Sequence, residues 1–401
     1  MKIAMVDPSL FTGRYDDGLC GALGGLGHQV TLVGRPMRDT DAIVPRGYRY
    51  AARFFRFSER MRVLTGEGKL FRAAKAVGYM TDALTGPMGK LRRSDVVHVQ
   101  WLPFAPADAQ MLRRLRAHVP LVHTVHNSSA YHGDGGAKAL QGRGYGAFLG
   151  QFDALIVHGE PTRAALVAGG VPADRIAIIP HPPMRLAVAT ADVLASLPDP
   201  ALPRILFFGT IRPYKGLDVL VDACLTLWRA GHRFELAIAG KPFMDVAPML
   251  SAIHDAGFGG MLHTELGFLK EERLDAHLRK ADIIAFPYRH IDSSGAFLSA
   301  LHYGKAVVCS QTGMFADLPA DAVSLAPVGD CAALATALLP LVDSAAIRRA
   351  AGDRVRRLGE GFGNWKDAAL LTIDAYEQAR LRAAARGVTV SAQAFRAESD
   401  G

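Results

Sequence analysis

The stretch KIAMVDPSLFTGRYDDGLCGALGGLGHQVTLVG, residues 2–34, decides the fold. Residues 2–7 predict a short apolar strand, which leads through a glycine-bearing loop at 8–18 into a helix at 19–29, and residues 30–34 predict a second apolar strand. Two consecutive strands joined through a helix lie parallel in one sheet, because the helix returns the chain to the end at which the first strand began. The opening of the chain therefore predicts an α/β fold.

The same alternation continues along the chain and then starts again. Further strands are predicted at residues 94–101, 119–127, 152–159 and 175–181. A second series opens after the proline-rich break SLPDPALPR, with strands predicted at residues 205–210, 234–240, 281–288 and 305–310. A chain of 401 residues is too long for one ordinary core. We predict two doubly wound Rossmann-like domains with the ligand in a cleft between them. The expected boundaries are an N-terminal domain at 1–184, a linker at 185–203, a C-terminal domain at 204–362, a helix crossing back at 363–385 and a frayed tail at 386–401.

Polar side chains cluster where the predicted strands of the first half end. Five histidines lie at or just beyond these ends: His98, His123, His126, His158 and His181. Ligands of open parallel sheets bind beyond the carboxyl ends of the strands. The pattern therefore predicts a ligand site at this edge of the first sheet.

Several classes of protein do not fit the sequence. The four cysteines form no CxxC pair, which argues against a zinc site and favours a reducing compartment. No GxGxxG follows the first strand directly, and no acid ends the second strand, so a dehydrogenase is disfavoured. The N-terminus has no signal-peptide pattern, and no window approaches the about 18–20 apolar residues of a membrane span. The sequence predicts a cytoplasmic protein.

The net charge of +8 calls for an anionic partner. The excess is concentrated in PRGYRYAARFFRFSERMRVL, where six arginines between Arg46 and Arg62 alternate with aromatic residues and face one acid, Glu59. This composition suits an anionic membrane surface, so peripheral attachment at the inner face of the cell membrane is one interpretation. An ordinary amphipathic helix with its aromatic residues in the core is the other. No recognition motif supports nucleic acid as a partner.

A basic loop opens the second series. In FFGTIRPYKGLDVL, residues 207–220, a strand ends at Gly209 and the loop presents Arg212 and Lys215 directly before a helix. A helix N-terminus offers unpaired N–H groups, and two cations beside it make a pyrophosphate site. The alternative is a pair of solvated loop cations.

A second turn, IDSSGAF at residues 291–297, precedes another predicted helix. Ser293 or Ser294 can cap that helix, and the N–H groups of Gly295 and Ala296 can face an anion. Asp292 can accept hydrogen bonds from sugar hydroxyls, or it can serve only as a capping acid.

Three segments occur in the order and spacing of a known family: GTIRPYKGLDVL, LGFLKEERLDAHLRKADIIAFPY and DSSGAFLSALHYGKAVVCS. Together they resemble the C-terminal nucleotide-sugar domain of GT-B glycosyltransferases, closest to glycosyltransferase family 4 of the bacterial polysaccharide and glycolipid type. The N-terminal glycine loop, HTVHN and the final helix extend the resemblance over nearly the whole chain. It implies a GT-B fold and a nucleotide-sugar-dependent transferase, with an acceptor-binding domain at 1–184 and a nucleotide-sugar-binding domain at 204–362.

The resemblance also implies residue roles. Arg212 and Lys215 would neutralise the donor diphosphate, and Arg212 would substitute for an arginine whose usual place is taken by Thr210. His126 would approach the transferred sugar, although a histidine at a strand end is also often purely structural. The implied catalytic set is His126, Arg212, Lys215 and Asp292. The implied donor-binding set is Gly13, Arg14, Gly209, Arg212, Lys215, Gly240, Phe268, Leu269, Asp292, Ser293, Ser294, Gly295 and Ala296.

The sequence departs from this family at its acidic pair. Asp292 replaces the first of two glutamates, and Ala300 replaces the second, which in relatives binds the ribose. Losing that charged hydrogen bond would weaken donor binding by about 1.5–3 kcal/mol. Ser299, His302 and Tyr303 are the candidates to compensate.

The expected reaction is transfer from a UDP- or GDP-sugar to a hydroxyl, with a lipid-linked saccharide as the expected acceptor. No metal or other cofactor is expected, because the cations would stabilise the leaving diphosphate, and the family implies retention of configuration. Two alternatives stay open. An inverting enzyme would need a base such as His126 or Asp134. A non-catalytic sugar-nucleotide-binding partner of a transferase complex would explain Ala300.

Overall fold

The computed structural model describes residues 1–39, 41, 43–66, 69–85, 88–103, 105–126, 145–291, 293–319 and 321–389. The chain forms two compact units. Unit 1 comprises Met1–Pro180 and Asn364–Gly401, and unit 2 comprises His181–Gly363.

Unit 1 is built on a seven-stranded sheet in which every pairing is parallel, with the order β3-β2-β1-β4-β5-β6-β7. Its strands are β1 (Lys2–Val6), β2 (Gln29–Gly34), β3 (Arg49–Ala52), β4 (Val96–Val99), β5 (Leu121–Thr124), β6 (Ala154–Val157) and β7 (Ile176–Ile178). Its α-helices are Gly13–Gly25, Arg56–Thr65, Lys69–Thr85, Met88–Leu91, Ala105–Arg116, Tyr145–Leu149, Glu160–Ala168 and Trp365–Ala385, with a 3-10 turn at Ala173–Arg175.

Alternate residues of β1 face two different halves of the unit 1 core. Ala4 and Val6 pack in one apolar cluster, whereas Ile3 and Met5 pack in the other. The C-terminal helix Trp365–Ala385 covers the second face, where Tyr376 is fully buried. Asn364 caps this helix by accepting from the N–H groups of residues 366 and 367. The end of the chain is therefore part of the first unit.

Unit 2 carries a six-stranded, all-parallel sheet with the order β10-β9-β8-β11-β12-β13. Its strands are β8 (Arg204–Phe208), β9 (Glu235–Gly240), β10 (Leu262–Leu266), β11 (Ile283–Phe286), β12 (Ala306–Ser310) and β13 (Ser324–Ala326). Its α-helices are Ala191–Ala195, Leu217–Arg229, Ala247–Asp255, Glu271–Lys280, Gly295–Ala300, Cys331–Asp343 and Ala345–Gly361, with 3-10 turns at Pro213–Lys215, Gly259–Met261, Leu301–Tyr303 and Gly313–Phe315.

The stretch 185–203, set apart as a linker in the sequence, lies within unit 2. Thr190 caps the short helix Ala191–Ala195 by accepting from the N–H of Val193. The N–H of Ala189 donates to Asp275 of the helix Glu271–Lys280 at 2.9 Å. A proline-rich segment therefore packs as an ordered part of the second unit.

Three strands have no counterpart in the sequence prediction: β3, β10 and β13. All three are edge strands of their sheets, and each contains only partly buried or exposed residues at most positions. An edge strand lacks the continuous apolar run that a central parallel strand shows, as β8 does with five buried residues. The first helix also begins at Gly13, earlier than predicted, so Gly13 and Arg14 belong to its first turn.

Within the described ranges, no single helix combines the length and apolarity needed to cross a bilayer. The helices between Cys331 and Ala385 meet that criterion only as a pair bent by 108°, on length and composition alone.

Candidate functional site

The strand order of unit 2 reverses between β8 and β11. At such a switch point, the loops after the two strands diverge to opposite faces of the sheet and leave a crevice that binds ligands. The loop after β8 carries Arg212 and Lys215, and the loop after β11 carries Tyr288 and Arg289. The basic loop predicted from the sequence thus lies at the place where the topology of unit 2 favours a ligand.

Two glycines allow the backbones to pack tightly here. Gly209 has φ +95° and Gly240 has φ +149°, and a Cβ on Gly240 would lie 1.8 Å from the carbonyl oxygen of Gly209. A Cβ on Gly209 would meet the Lys215 ammonium at 3.4 Å. Three predicted site residues, Gly209, Gly240 and Lys215, are therefore direct neighbours, and any side chain on Gly240 would force them apart.

Lys215 is the central cation of this arrangement. It ends the 3-10 turn Pro213–Lys215, is only 6% exposed, and places its ammonium 5.1 Å from the centre of the Tyr288 ring. Among the described residues, no carboxylate forms an ion pair with it. Burial lowers the pKa of Lys215, and nearby Tyr214 and Arg212 act in opposite directions. A buried ammonium without an acid is costly, which is the signature of a site that an anion completes.

Arg212 lies beside Lys215, and a different aromatic ring supports its side chain. Its guanidinium stacks on the ring of Phe243, with the central carbon 4.3 Å from the ring centre. Backbone hydrogen bonds hold the two loops together, from the N–H of Ile211 to the oxygen of Lys241 and from the N–H of Phe243 to the oxygen of Ile211, both 2.8 Å. The ends of β8 and β9 therefore present cations side by side.

The helix Leu217–Arg229 begins beside a charged pair. Within the described residues, no side chain caps its first turn at Gly216. The carboxylate of Asp218 accepts from both terminal nitrogens of Arg289, at 2.9 and 2.5 Å. An acid that is already paired therefore stands in the first turn, and phosphate binding by the N–H groups of this helix start stays a prediction.

Arg289 also braces the basic turn itself. Its N–H donates to the oxygen of Tyr214 and its side chain donates to the oxygen of Pro213, at 2.6 and 2.8 Å. Gly216, with φ +69°, lets the turn approach β11 closely, since a Cβ there would lie 2.0 Å from the oxygen of Pro287. The loop after β11 therefore fixes the position of Lys215.

The second predicted turn is a well-formed helix start. Ser294 caps the helix Gly295–Ala300 by accepting from the N–H of Phe297, and its own N–H donates to the sulfur of Met314. Gly295 is close-packed, because a Cβ would lie 2.8 Å from the Cε of Met184. Ser293 and Ala296 are partly buried on either side. Asp292, predicted as a catalytic and donor-binding residue, lies outside the described residues.

Ala300 is fully buried in the core of unit 2. Two of the residues predicted to compensate for it are already engaged. The hydroxyl of Ser299 donates to the oxygen of Gly295 at 2.8 Å, and the hydroxyl of Tyr303 donates to Asp275 at 2.5 Å. His302 remains exposed. Apolar packing occupies this position in place of a second acid.

The remaining predicted residues of unit 2 are Phe268 and Leu269, directly after β10. Phe268 is 60% exposed, whereas Leu269 packs partly buried against the core. Gly267, which separates them from the strand, donates its N–H to the oxygen of Gly240 at 3.0 Å. The β9 and β10 loops therefore lie next to each other at the same edge.

In unit 1, the predicted histidine cluster is partly assembled. His126 has one ring nitrogen 2.9 Å from the side-chain oxygen of Gln100 and the other 3.3 Å from the Nε2 of His158. The rings of both histidines pack against Tyr15, with centroids at 4.9 and 5.2 Å. Burial lowers the pKa of His158 to about 4. The Nδ1 of His158 lies 3.0 Å from the backbone oxygen of Ile179, so this contact and the ring of Tyr15 hold the histidine pair in place.

The other three histidines have structural partners. His98 is completely buried between the hydroxyls of Tyr376 and Thr124, each at 2.7 Å. His123 stacks on Phe152, and His181, which belongs to unit 2, lies 2.8 Å from the oxygen of Pro182. The strand-end pattern thus marks one histidine pair and three packing residues. Within the described ranges, no three His, Cys, Asp or Glu side chains converge as potential metal ligands.

Sequence reasoning missed four residues of this region: Lys241 and Phe243 after β9, and Tyr288 and Arg289 after β11. Their signal was positional, since all four follow central parallel strands directly, where ligand-binding loops begin. Their partners in the loop after β8 lie 30 to 76 residues away in sequence, so local motifs did not connect them.

Two protein-family models match the chain. Residues 12–182 match the glycosyl transferase 4-like domain, and residues 202–344 match the glycosyl transferases group 1 domain. A D-inositol 3-phosphate glycosyltransferase of Xylanimonas cellulosilytica is 31% identical over 320 residues, covering 73% of this chain and 74% of that protein. A GDP-mannose:glycolipid 4-beta-D-mannosyltransferase of Xanthomonas campestris is 27% identical over 235 residues, covering 54% and 62%.

Solved structures show the same architecture. Sucrose-phosphate synthase from Thermosynechococcus elongatus aligns over 94% of this chain and 98% of its own, with a TM-score of 0.71 at 18% identity. Anabaena HepE in complex with UDP and glucose aligns over 94% and 99%, with a TM-score of 0.68 at 14% identity. Two parallel sheets with these neighbours define the GT-B class.

The chain belongs to the family-4-like glycosyltransferases and is a nucleotide-sugar-dependent enzyme. The resemblance seen in its motifs is confirmed.

Proposed function

We propose that this enzyme moves a hexose from a nucleoside-diphosphate sugar to a hydroxyl acceptor, without a metal and with retention of configuration. The observation that carries this proposal is Lys215, a buried ammonium without an acidic partner among the described residues, seated against Gly209 at the switch point of unit 2. Arg212 adds a second cation. Both charges suit the leaving diphosphate, whose developing charge is the main barrier to transfer.

The proposed division of labour follows the two units. The loops after β8 and β9 hold the diphosphate, and the exposed segment at Phe268 and Leu269 holds the base. The expected role of Asp292 is to accept hydrogen bonds from the sugar. In unit 1, His126 and the first-turn residues Gly13 and Arg14 are the proposed contacts to the transferred group and the donor phosphates.

GDP-mannose and UDP-hexoses are the donors to test first, because relatives carry GDP-mannose and UDP in their names. We expect one nucleoside diphosphate to raise the melting temperature of the purified protein. Ligand at about 100 times its dissociation constant adds about 2.7 kcal/mol to the free energy of unfolding. The matching sugar nucleotide should then be turned over to free nucleoside diphosphate in the presence of bacterial lipid extract. Absence of any shift with both nucleotides would contradict the proposal.

One observation favours a second candidate, a non-catalytic sugar-nucleotide-binding partner. Ala300 is buried in the core and supplies no acid for the ribose. The two candidates differ in turnover: binding of a donor without its cleavage or transfer, at any acceptor tested, supports the non-catalytic partner.

We further propose a glycolipid acceptor reached at an anionic membrane surface. The name of the Xanthomonas campestris relative gives a glycolipid as its acceptor, and a structural neighbour, WaaG, takes part in lipopolysaccharide biosynthesis. The helix Arg56–Thr65 supports this reading of the arginine-rich segment. Arg56, Phe57 and Arg60 are exposed on it, whereas Phe54 and Phe55, just before it, are buried in the core. The arginine-rich segment therefore has both features that its sequence suggested, an exposed basic face and aromatic residues in the core.

The exposed face of this helix can be tested with vesicles. Each basic residue near an anionic surface contributes about 1 kcal/mol, so Arg56→Gln with Arg60→Gln should weaken binding to phosphatidylglycerol-containing vesicles by about 30-fold. Arg62 is left in place because it pairs with Glu59 at 2.9 Å. Co-sedimentation provides the measurement.

The matched control removes two exposed arginines of unit 2, Arg349→Gln with Arg357→Gln, and should leave vesicle binding near the wild-type level. Donor affinity should be unchanged in both double variants. Equal losses of vesicle binding in the two, or a loss of donor affinity with Arg56 and Arg60, would rule out this surface.

A further inference from the structure

Phe243 is an exposed aromatic residue in the loop that follows the buried strand β9. It lies three residues beyond β9, is 49% exposed, and has a cation against it from each of two loops. The Arg212 guanidinium lies 4.3 Å from the ring centre, and the Lys241 ammonium lies 5.4 Å from it. An exposed aromatic ring next to two cations is a cation–π platform, which fixes where the charges point.

The backbone explains why the three side chains meet. Ile211 and Pro242 form a parallel bridge that prolongs the pairing of β8 and β9 beyond the strands themselves. The bridge puts Arg212 next to Phe243 and keeps both at the carboxyl edge of the sheet. Arg212 has extended backbone angles, φ −133° and ψ 157°, so its side chain leaves the turn that ends in Lys215.

Among the described residues, neither Arg212 nor Lys241 forms an ion pair with a carboxylate, and the neighbouring Lys215 has none either. Most other arginines with buried or half-buried head groups in unit 2 do have one, such as Arg204 with Glu235 and Arg273 with Glu265. Three cations left without acids at one sheet edge make a local excess of positive charge. A carboxylate would fix the orientation of the Arg212 guanidinium but would also neutralise its charge. The aromatic ring fixes the orientation and leaves the charge in place.

We propose that Phe243 is a positioning residue that orients Arg212, and that Lys241 is a third cation of the same site, so that the ends of β8 and β9 together bind the terminal phosphate of the donor's diphosphate. This inference rests on the proposed function. It assigns to Lys241 and Phe243 a role that depends on the β-phosphate and not on the nucleoside. The ring keeps the guanidinium flat and preorganised for two phosphate oxygens, which lowers the entropy lost on binding.

The test separates the β-phosphate from the rest of the nucleotide. The affinities of GDP and GMP, or of UDP and UMP if the uridine nucleotides bind, are measured by calorimetry, and their ratio reports the contacts to the terminal phosphate. Phe243→Ala and Lys241→Ala should each lower this ratio about three- to fivefold. Phe243→Tyr keeps the ring and should keep the ratio. A loss of general stability would move both affinities together and leave the ratio unchanged.

A double variant tests whether the ring acts through Arg212. If it does, Phe243→Ala adds little in an Arg212→Ala background, because the positioned group is gone. Arg349→Ala, which removes an exposed cation elsewhere in unit 2, serves as the charge control and should leave the ratio at the wild-type value.

The outcomes distinguish the inference from the proposed function. A wild-type ratio in both Phe243→Ala and Lys241→Ala, alongside a strongly reduced ratio in a Lys215 variant, overturns the inference and leaves the proposed function standing. Additive losses in the Arg212/Phe243 double variant overturn the positioning role. A wild-type ratio in the Lys215 variant as well removes the proposed diphosphate site itself.

Discussion

Lys215→Met is expected to lower the turnover number of sugar transfer by about 10²–10³ and, at the same time, to raise the melting temperature of the protein. The first effect follows from the loss of a preorganised cation at the leaving diphosphate. The second follows from burial: the ammonium is 6% exposed and has no acidic partner among the described residues, so the folded state holds an uncompensated charge. Methionine fills a similar volume without that cost.

This combination separates a functional lysine from a structural one. Removing a lysine that merely packs or pairs would lower stability and leave turnover intact. Removing a buried cation whose partner is a bound anionic substrate should raise stability and lower turnover. Initial rates of nucleoside-diphosphate release, at saturating donor, and thermal unfolding without ligand are the two measurements.

Lys305→Met is the matched control in the same unit. The ammonium of Lys305 donates to the oxygen of Arg279 at 2.8 Å, so its loss should reduce stability slightly and leave turnover close to wild type. If Lys215→Met retains turnover within a factor of a few, or melts lower than the wild type, the ammonium is a packing residue and the diphosphate site lies elsewhere.

Strands that are completely buried could be predicted from the sequence, whereas three partly buried edge strands could not. The central strand RILFF of β8 is buried at all five positions, with Ile205 and Phe207 in one cluster and Leu206 and Phe208 in the other. The edge strand LHTEL of β10 contains a threonine, a histidine and a glutamate, because one side of an edge strand meets solvent. Its pattern is indistinguishable from a loop until its partner β9 is known.

The candidate site divides in the same way. Arg212 and Lys215 were predicted because a short segment holds a strand end, two cations and a helix start. Phe243 and Arg289 act on that segment from other loops, and only the strand order 9-8-11 brings them there. The local sequence contains the two cations, and the strand order brings in the residues that orient them.

A second large effect is expected in unit 1, on the pH dependence of stability. His98 is completely buried between β4, β5 and the C-terminal helix, and burial lowers its pKa to about 3 from an ordinary value of 6.5. Between these two values, the unfolded chain binds a proton that the folded chain does not. The free energy of unfolding therefore falls as the pH falls through this window, by about 2 kcal/mol for this group between pH 7 and pH 5.

Other buried groups titrate nearby, and the test has to exclude them. Burial lowers the pKa of His123 and of His158 to about 4, which adds to the loss in acid. Burial raises the pKa of Asp7 and of Asp16, which opposes it, because the folded state then holds the extra proton. These contributions are common to the wild type and to a single variant of His98, so they cancel in the difference between the two.

His98→Gln should therefore show a stability gap to the wild type that narrows by about 2 kcal/mol as the pH is lowered from 7 to 5. Trp101 and Trp365 lie in unit 1 and Trp228 in unit 2, so in a Trp228→Phe background urea unfolding followed by tryptophan fluorescence reports on unit 1. His118→Gln, at an exposed histidine of the same unit, is the matched control for replacing an imidazole by an amide. If the stability gap of His98→Gln does not change between pH 7 and pH 5, His98 has the same pKa in the folded and unfolded chain. The neutral form of this buried histidine would then not be what holds the C-terminal helix on the sheet.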